Sequence, residues 1–277
     1  MRRAGPLPAL GLALALAAAP GDAQTRPRGT VLADLTWVEA ERRLTPDAVV
    51  VIPLGAAAKE HGPHLRLDND FVMAEYLRRR VLDAADVIIA PTINYHFYPA
   101  FLEYPGSTHL RPETARDVVV DIVRSLARHG PRRFYVLNTG VSTVRALSQS
   151  AEVLKAEGIL LGFTDIIAIA GPAERQVRQQ QRGTHADEIE TSMMLYIAPD
   201  RVDMSRAVRD DSPQGRGGLT RREGGEGTYS KSGIWGDPTL ATVEKGRIIV
   251  EATVEGILRE IASLRTAPLP RQDGRPD

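Results

Sequence analysis

The sequence predicts an α/β fold of three layers, α/β/α, around a mostly parallel sheet. Two observations carry this. Short β-branched apolar runs alternate with amphipathic stretches several turns long, the order that builds right-handed βαβ units. The run at 48–54 is apolar throughout, as a strand covered on both faces requires.

The elements follow in order. Thr36, with Glu39 three residues later, forms a capping box that starts a short helix reaching about Arg43. The run 48–54 is the first strand. Helical spacing over 71–82 ends in Arg78, Arg79 and Arg80, cations suited to a helix C-terminus. A second strand, 87–90, stops at Pro91. Residues 112–128 form an amphipathic helix, with Pro112 and Glu113 in its first turn and Gly130 after its end. A third strand at 134–137 precedes a helix over 144–157, ended by Gly158. The stretch 159–170 contains a fourth strand closed by Gly171-Pro172. Helices are expected at 173–181 and 189–197, after a cap by Thr239, and at 250–264. The segment 205–237 is long, glycine-rich and charged, the signature of a functional loop or lid. Residues 266–277 read as a flexible tail, leaving 24–265 as one domain.

Composition narrows the function. The 277 residues are 43% hydrophobic, with a formal charge of +0, so nothing favours a nucleic acid or an anionic membrane surface as partner. The cysteine count of 0 excludes disulfides, thiolate zinc sites and iron–sulfur clusters; any metal falls to His, Asp or Glu. Arg2 and Arg3 precede an apolar stretch, 7–19, and the small residues Gly21-Asp22-Ala23. That order is a signal peptide over 1–23, and it makes the protein exported, either periplasmic or secreted. The stretch is too short for the ~20 residues of a membrane-spanning helix.

The chemistry concentrates after strand ends. In Lys59-Glu60-His61, an extended backbone sends Lys59 and His61 to one side and Glu60 to the other. His61 can offer an imidazole nitrogen to a cation, and Asp70, at the mouth of the next helix, a carboxylate. Both can equally satisfy loop backbone groups. Glu190 shares a helix with Met193 and Met194, so its carboxylate needs a cation or a structural ion pair. Asp187 and Glu188 read as a solvated first turn. Lys59 can be a surface lysine, an ammonium neutralising Asp70 or Glu190, or a desolvated amine fit for proton transfer; the second is preferred. Asn138 through Thr143 is a strand-to-helix turn able to hold an oxyanion, or a plain cap. Tyr95, His96, Phe97, Tyr98, Phe101 and Tyr104 gather aromatics in one loop, suiting a pocket wall or an oligomer interface.

With those segments assembled, the chain resembles the creatininase (creatinine amidohydrolase) family. The matching pieces are PLGAAAKEHGPHL with Asp70, FLEYPGSTHL, FYVLNTG, HADEIETSMML, and GIWGDPTLAT with Lys245-Gly246-Arg247. The resemblance implies the three-layer fold, commonly oligomeric and here a homo-oligomer. It also implies hydrolysis of a C–N bond in a small cyclic or linear amide with one or two divalent ions, zinc, manganese or iron. Two family ligands are replaced: the first glutamate of Glu-x-His-Gly-x-His is Lys59, and the histidine of the turn is Gly140. The resemblance makes those two ligands of one metal, and leaves His61, Asp70 and Glu190 for the other. The expectation is one divalent ion per chain, with Lys59 standing for the second. Lys59, Glu60 and His185 are the catalytic candidates; His64, Tyr95, Asn138 and Trp235 are those placed to touch a small-molecule substrate. The alternative is an exported pseudoenzyme that binds a small ligand in the same fold without catalysis.

Overall fold

The computed structural model describes Met1 and residues 27–272; the rest of the expected signal segment and residues 273–277 lie outside the described residues. Five strands form one sheet: β1 (Thr30–Val31), β2 (Val49–Leu54), β3 (Ile88–Ile89), β4 (Arg133–Asn138) and β5 (Leu160–Phe163). Their spatial order is β1-β3-β2-β4-β5, and every pairing is parallel. Helices α1 (Trp37–Arg43), α2 (Asn69–Ala84), α3 (Pro112–Ala127), α4 (Val144–Lys155), α5 (Ile166–Val177), α6 (Glu188–Ile197) and α7 (Val243–Thr266) complete the main elements.

The period of two in a strand divides the core. Val49, Val51, Tyr135 and Leu137 face a layer built from α2, α6 and α7. Val50, Ile52, Phe134 and Val136 face the opposite layer, with Val119 and Val123 of α3 and Leu147 and Leu154 of α4. The three expected layers are therefore present. The chain leaves β2 through α2 to reach β3 on one side, then crosses through α3 to β4 on the other. The carboxyl ends of β2 and β4 flank that reversal, where open α/β sheets place their sites.

Three elements differ from expectation. The strand within 159–170 ends at Phe163, and α5 begins at Ile166, runs through Gly171 and Pro172, and stops at Val177. Asp165 sets its start, accepting from the N–H groups of Ile167 and Ala168 at 3.1 and 3.3 Å. Second, the C-terminal helix is a single element of 24 residues capped by Thr242 rather than Thr239. Third, Ala267 and Gln272, within the expected tail, are held against the fold, while residues 273–277 lie outside the described residues. Ala267 accepts from Arg133 at 3.0 Å, and Gln272 donates to the Glu157 carbonyl at 3.0 Å. Segment 205–237 contains a two-stranded parallel ladder, β6 (Leu219–Thr220) with β7 (Thr228–Tyr229), and lies against the aromatic loop, where Gly218 closely approaches Ala100. Among the described residues no helix is long and apolar enough to cross a membrane.

His96 illustrates the core's electrostatic demand. It is 0% exposed, and neither ring nitrogen holds a hydrogen bond of normal geometry. Burial, opposed in small part by the Ala115 backbone, pushes it down to about 4. The folded state thus favours the neutral ring. Stability is full above 6.5 and is lost as the pH falls through that value toward 4. His96→Leu is expected to remove this loss, about 2 kcal/mol at pH 5, read from urea midpoints at pH 7 and 5. A pH dependence equal to wild type would refute it.

Candidate metal centre

The loop after β2 carries the centre. Lys59 N–H donates to the Leu67 carbonyl, and Phe71 N–H to the Ala56 carbonyl, folding the loop back onto the start of α2. This brings Asp70 against Lys59 and His61. Lys59 Nζ pairs with Asp70 Oδ2 at 2.8 Å, and His61 Nε2 stands 2.8 Å from Asp70 Oδ1. Lys59 is 5% exposed and Asp70 1%. The ammonium also lies 4.8 Å from the Phe101 ring centroid and 5.7 Å from that of Tyr98, within cation–π reach. Gly55 makes the fold-back possible, because a Cβ there would meet the Asp70 carbonyl oxygen at 2.3 Å.

Charge follows from this geometry. Burial works against the Lys59 ammonium, but Asp70, then Glu190 and Glu60, outweigh it and hold the group above its usual value. The low-pKa amine among the three sequence readings is thereby set aside. Burial would likewise raise Asp70; Lys59 and His61 overrule it and hold the carboxyl well below the usual range.

The second part of the site comes from a segment distant in sequence, at the start of α6. His185 Nε2 sits 3.0 Å from both Glu60 Oε2 and the Glu60 carbonyl, and its Nδ1 lies 3.6 Å from Glu190 Oε2. The ring packs on Phe101, centroids 4.3 Å apart, and on His61 at 5.2 Å. Burial disfavours the imidazolium, yet Glu60 raises His185 above its ordinary value, and His185 in return lowers Glu60 against the effect of burial.

His185 does not follow a strand directly, since α5 occupies the start of the expected connection. It is positioned instead by its neighbours. Its backbone pairs with that of Trp235, and Ala186 takes a left-handed conformation, φ 48°, with its N–H donated to Glu190 Oε2. Asp187 and Glu188 are buried, contrary to the solvated turn expected. Asp187 caps α6 and accepts from the Gln180 amide; burial, then Glu190, push it up to about 6. Glu188 accepts from the N–H groups of Gln179 and Gln180 and from Lys245 Nζ at 2.6 Å. Partners so distant in sequence leave no local signature.

The remaining candidates are placed less centrally. His64 Nε2 is 2.8 Å from Thr191 Oγ1, its Nδ1 has no partner among the described residues, and burial pushes the ring down to about 4. Tyr95 is 49% exposed. The Asn138 amide donates to the Gly140 and Thr164 carbonyls and accepts from Gly140 N–H and Thr143 Oγ1, so it closes the turn and leaves no group facing a substrate. Trp235 donates its indole N–H to the Ser212 carbonyl; its contact with the site is through backbone.

A divalent cation fits this donor set at one position. Ligand atoms of His61, Asp70 and Glu190 all lie within 4.8 Å of one another. His61 Nδ1 donates to the Lys59 carbonyl at 3.0 Å, while Nε2 also faces an oxygen of Asp70. Both ring nitrogens therefore meet acceptors. A cation shared by Nε2 and Asp70 suits this arrangement, with the ring held from its other side by the Lys59 carbonyl. Three carboxylates, Asp70, Glu60 and Glu190, surround this point against two cationic partners, Lys59 and His185, so the site offers a carboxylate in excess for a bound cation. Gly140 offers no ligand atom and leaves little room for a side chain that would: a Cβ there would meet Thr143 Cγ2 at 2.9 Å, its Oγ1 at 3.0 Å and Tyr98 Cε1 at 3.3 Å.

Comparison with known proteins bears on the family and the fold. The family model for creatininase, creatinine amidohydrolase, matches residues 33–261. The creatinine amidohydrolase of Pseudomonas putida is 27% identical over 83% of this chain and 95% of its own length. The mycofactocin precursor peptide peptidase of Mycobacterium tuberculosis (strain CDC 1551 / Oshkosh) is 30% identical over 81% of this chain and 87% of its own. A solved manganese creatininase superposes with a TM-score of 0.72 at 25% identity, covering 86% of this chain and 100% of that one.

Proposed function

This chain belongs to the creatininase family, and on that premise we propose that it hydrolyses the C–N bond of a small cyclic or linear amide with one divalent ion per chain. Two relatives are by name a creatinine amidohydrolase and a peptide peptidase, and the substrate class is taken from them. The single observation that carries the one-metal reading is His61, whose two nitrogens both face oxygen acceptors while Lys59 occupies the other side of Asp70.

His61, Asp70 and Glu190 would hold the ion. Bound there, zinc, manganese or iron supplies an activated water and polarises the amide carbonyl. The chain's own residues do the rest. Lys59 keeps Asp70 ionised and provides the fixed positive charge that a second ion would bring. Glu60 receives the His185 ring at 3.0 Å and sustains its acid form, so His185 can give a proton to the departing nitrogen. The segment around Gly233 and Ile234 covers the dyad, since Gly233 lies against the Glu60 carboxylate and Ile234 against Gly62. That placement suits a cover that restricts water.

Elemental analysis of protein purified without chelator, beside His61→Ala, tests the reading. About one zinc, manganese or iron per chain is expected in wild type, lost in the variant together with hydrolysis of a panel of cyclic amides and lactams. Wild type that takes up no metal even after reconstitution overturns it and favours ligand binding without catalysis.

A further inference from the structure

We propose that the Tyr98 hydroxyl is a catalytic hydrogen-bond donor to the substrate's carbonyl oxygen, acting from the side of the site where Lys59 and Gly140 stand. This rests on the amide-hydrolase reading and adds a residue to it. Tyr98 is 1% exposed, and its hydroxyl has no hydrogen-bond partner among the described residues. Its backbone N–H is donated to His109 Nδ1 at 3.2 Å, which fixes the residue. Its ring lies beneath the Lys59 ammonium, and its Cε1 edge borders Gly140.

A buried hydroxyl without a partner is costly to the fold. It persists where a ligand completes it. The neighbours of Tyr98 identify what would do so. Lys59 is committed to Asp70 and Asn138 to its own turn, so this side of the site already holds positive charge but no other free donor from those two residues. A phenol donates well to an oxygen that is gaining negative charge. In the reaction the water oxygen bonds to the carbonyl carbon and releases one proton to the surrounding water, while the carbonyl π pair moves onto oxygen, which carries the charge in the tetrahedral intermediate. The C–N bond then breaks, its electron pair leaves on nitrogen, and nitrogen takes a proton from His185. Tyr98 donates throughout without losing its proton.

Tyr98→Phe removes one oxygen and keeps the ring. Inorganic phosphate, a tetrahedral oxyanion, is the probe, titrated calorimetrically into manganese-loaded wild type and variant. Metal content and unfolding midpoint are measured on the same samples. The expected result is phosphate bound at least tenfold more weakly by Y98F, with metal content unchanged and the midpoint not lowered. Equal phosphate affinity overturns the assignment, as does wild type that binds no phosphate. A lowered midpoint also overturns it, because the hydroxyl then has an internal structural partner. Absence of metal in both proteins counts against the amide-hydrolase reading alone; the same phosphate comparison on the unloaded proteins still decides Tyr98.

Discussion

Lys59→Met is expected to cost about 3–5 kcal/mol of stability in the metal-free protein, because it leaves an uncompensated carboxylate inside the fold. The partners are buried and 2.8 Å apart, so solvent cannot take over the lost interaction. Methionine keeps the length and most of the contact with Phe101 and Tyr98, which confines the change to charge. Lys59→Met combined with Asp70→Asn should recover much of the loss, since no bare charge then remains. The pH dependence has a defined sign. Asp70 is held below its ordinary 3.8, so its contribution is present above that value and lost as the pH falls through the folded value. In Lys59→Met burial pulls Asp70 upward with only His61 opposing it, so the acid-induced loss should shrink or reverse, and the variant's deficit relative to wild type should narrow as the pH falls. Added manganese or zinc should stabilise the variant, by about 2.7 kcal/mol at a hundredfold excess over Kd. Urea midpoints at pH 7 and 4.5, with and without metal, measure all of this. A variant as stable as wild type without metal would mean that the pair contributes nothing and that Lys59 does not stand for a cation.

The same residues show what the sequence could disclose. Strands β2 and β4 and helix α3 were legible because each is long enough to carry its own period and its own breakers. The two-residue strands had less to offer: β1 carries no pattern at all, and β3 was found only through the apolar run around it. Helix α5 was misplaced because an unbroken apolar run looks alike as a buried strand or a buried helix, and Gly171-Pro172 was read as a stop although the helix runs through it. At the centre, His61, Asp70 and Glu190 could be paired only through the resemblance, since Glu190 stands on α6, far along the chain from the other two. Asp187 and Glu188 carry the side-chain chemistry of a solvated turn. What buries them is Gln180 and Lys245, brought in by tertiary packing. Tyr98 could be read only as one aromatic among six. Its free hydroxyl is a property of the assembled site.

His185→Gln is expected to lower kcat by about 10²- to 10⁴-fold, the usual contribution of a positioned acid or base, while leaving metal content unchanged. Glutamine keeps a donor for Glu60 but cannot deliver a proton. Distance supports the assignment, since the ring is held by Glu60 at 3.0 Å on one nitrogen and faces Glu190 with the other. The backbone supports it too: pairing with Trp235 and the left-handed Ala186 fix where the ring points. Because Glu60 holds His185 above its ordinary 6.5 despite burial, the acid form persists to higher pH than a free imidazole's, and the wild-type rate should decline only on the alkaline side of that ordinary value. The decline should vanish in His185→Gln. In Glu60→Gln it should move to lower pH, because the group that raises His185 is gone. A structural role for His185 would change stability but would not produce a Glu60-dependent displacement of a rate profile. If His185→Gln keeps kcat within a few-fold and the Glu60→Gln profile coincides with wild type, proton transfer belongs elsewhere in the site and the Glu60–His185 pair only holds the loop in place.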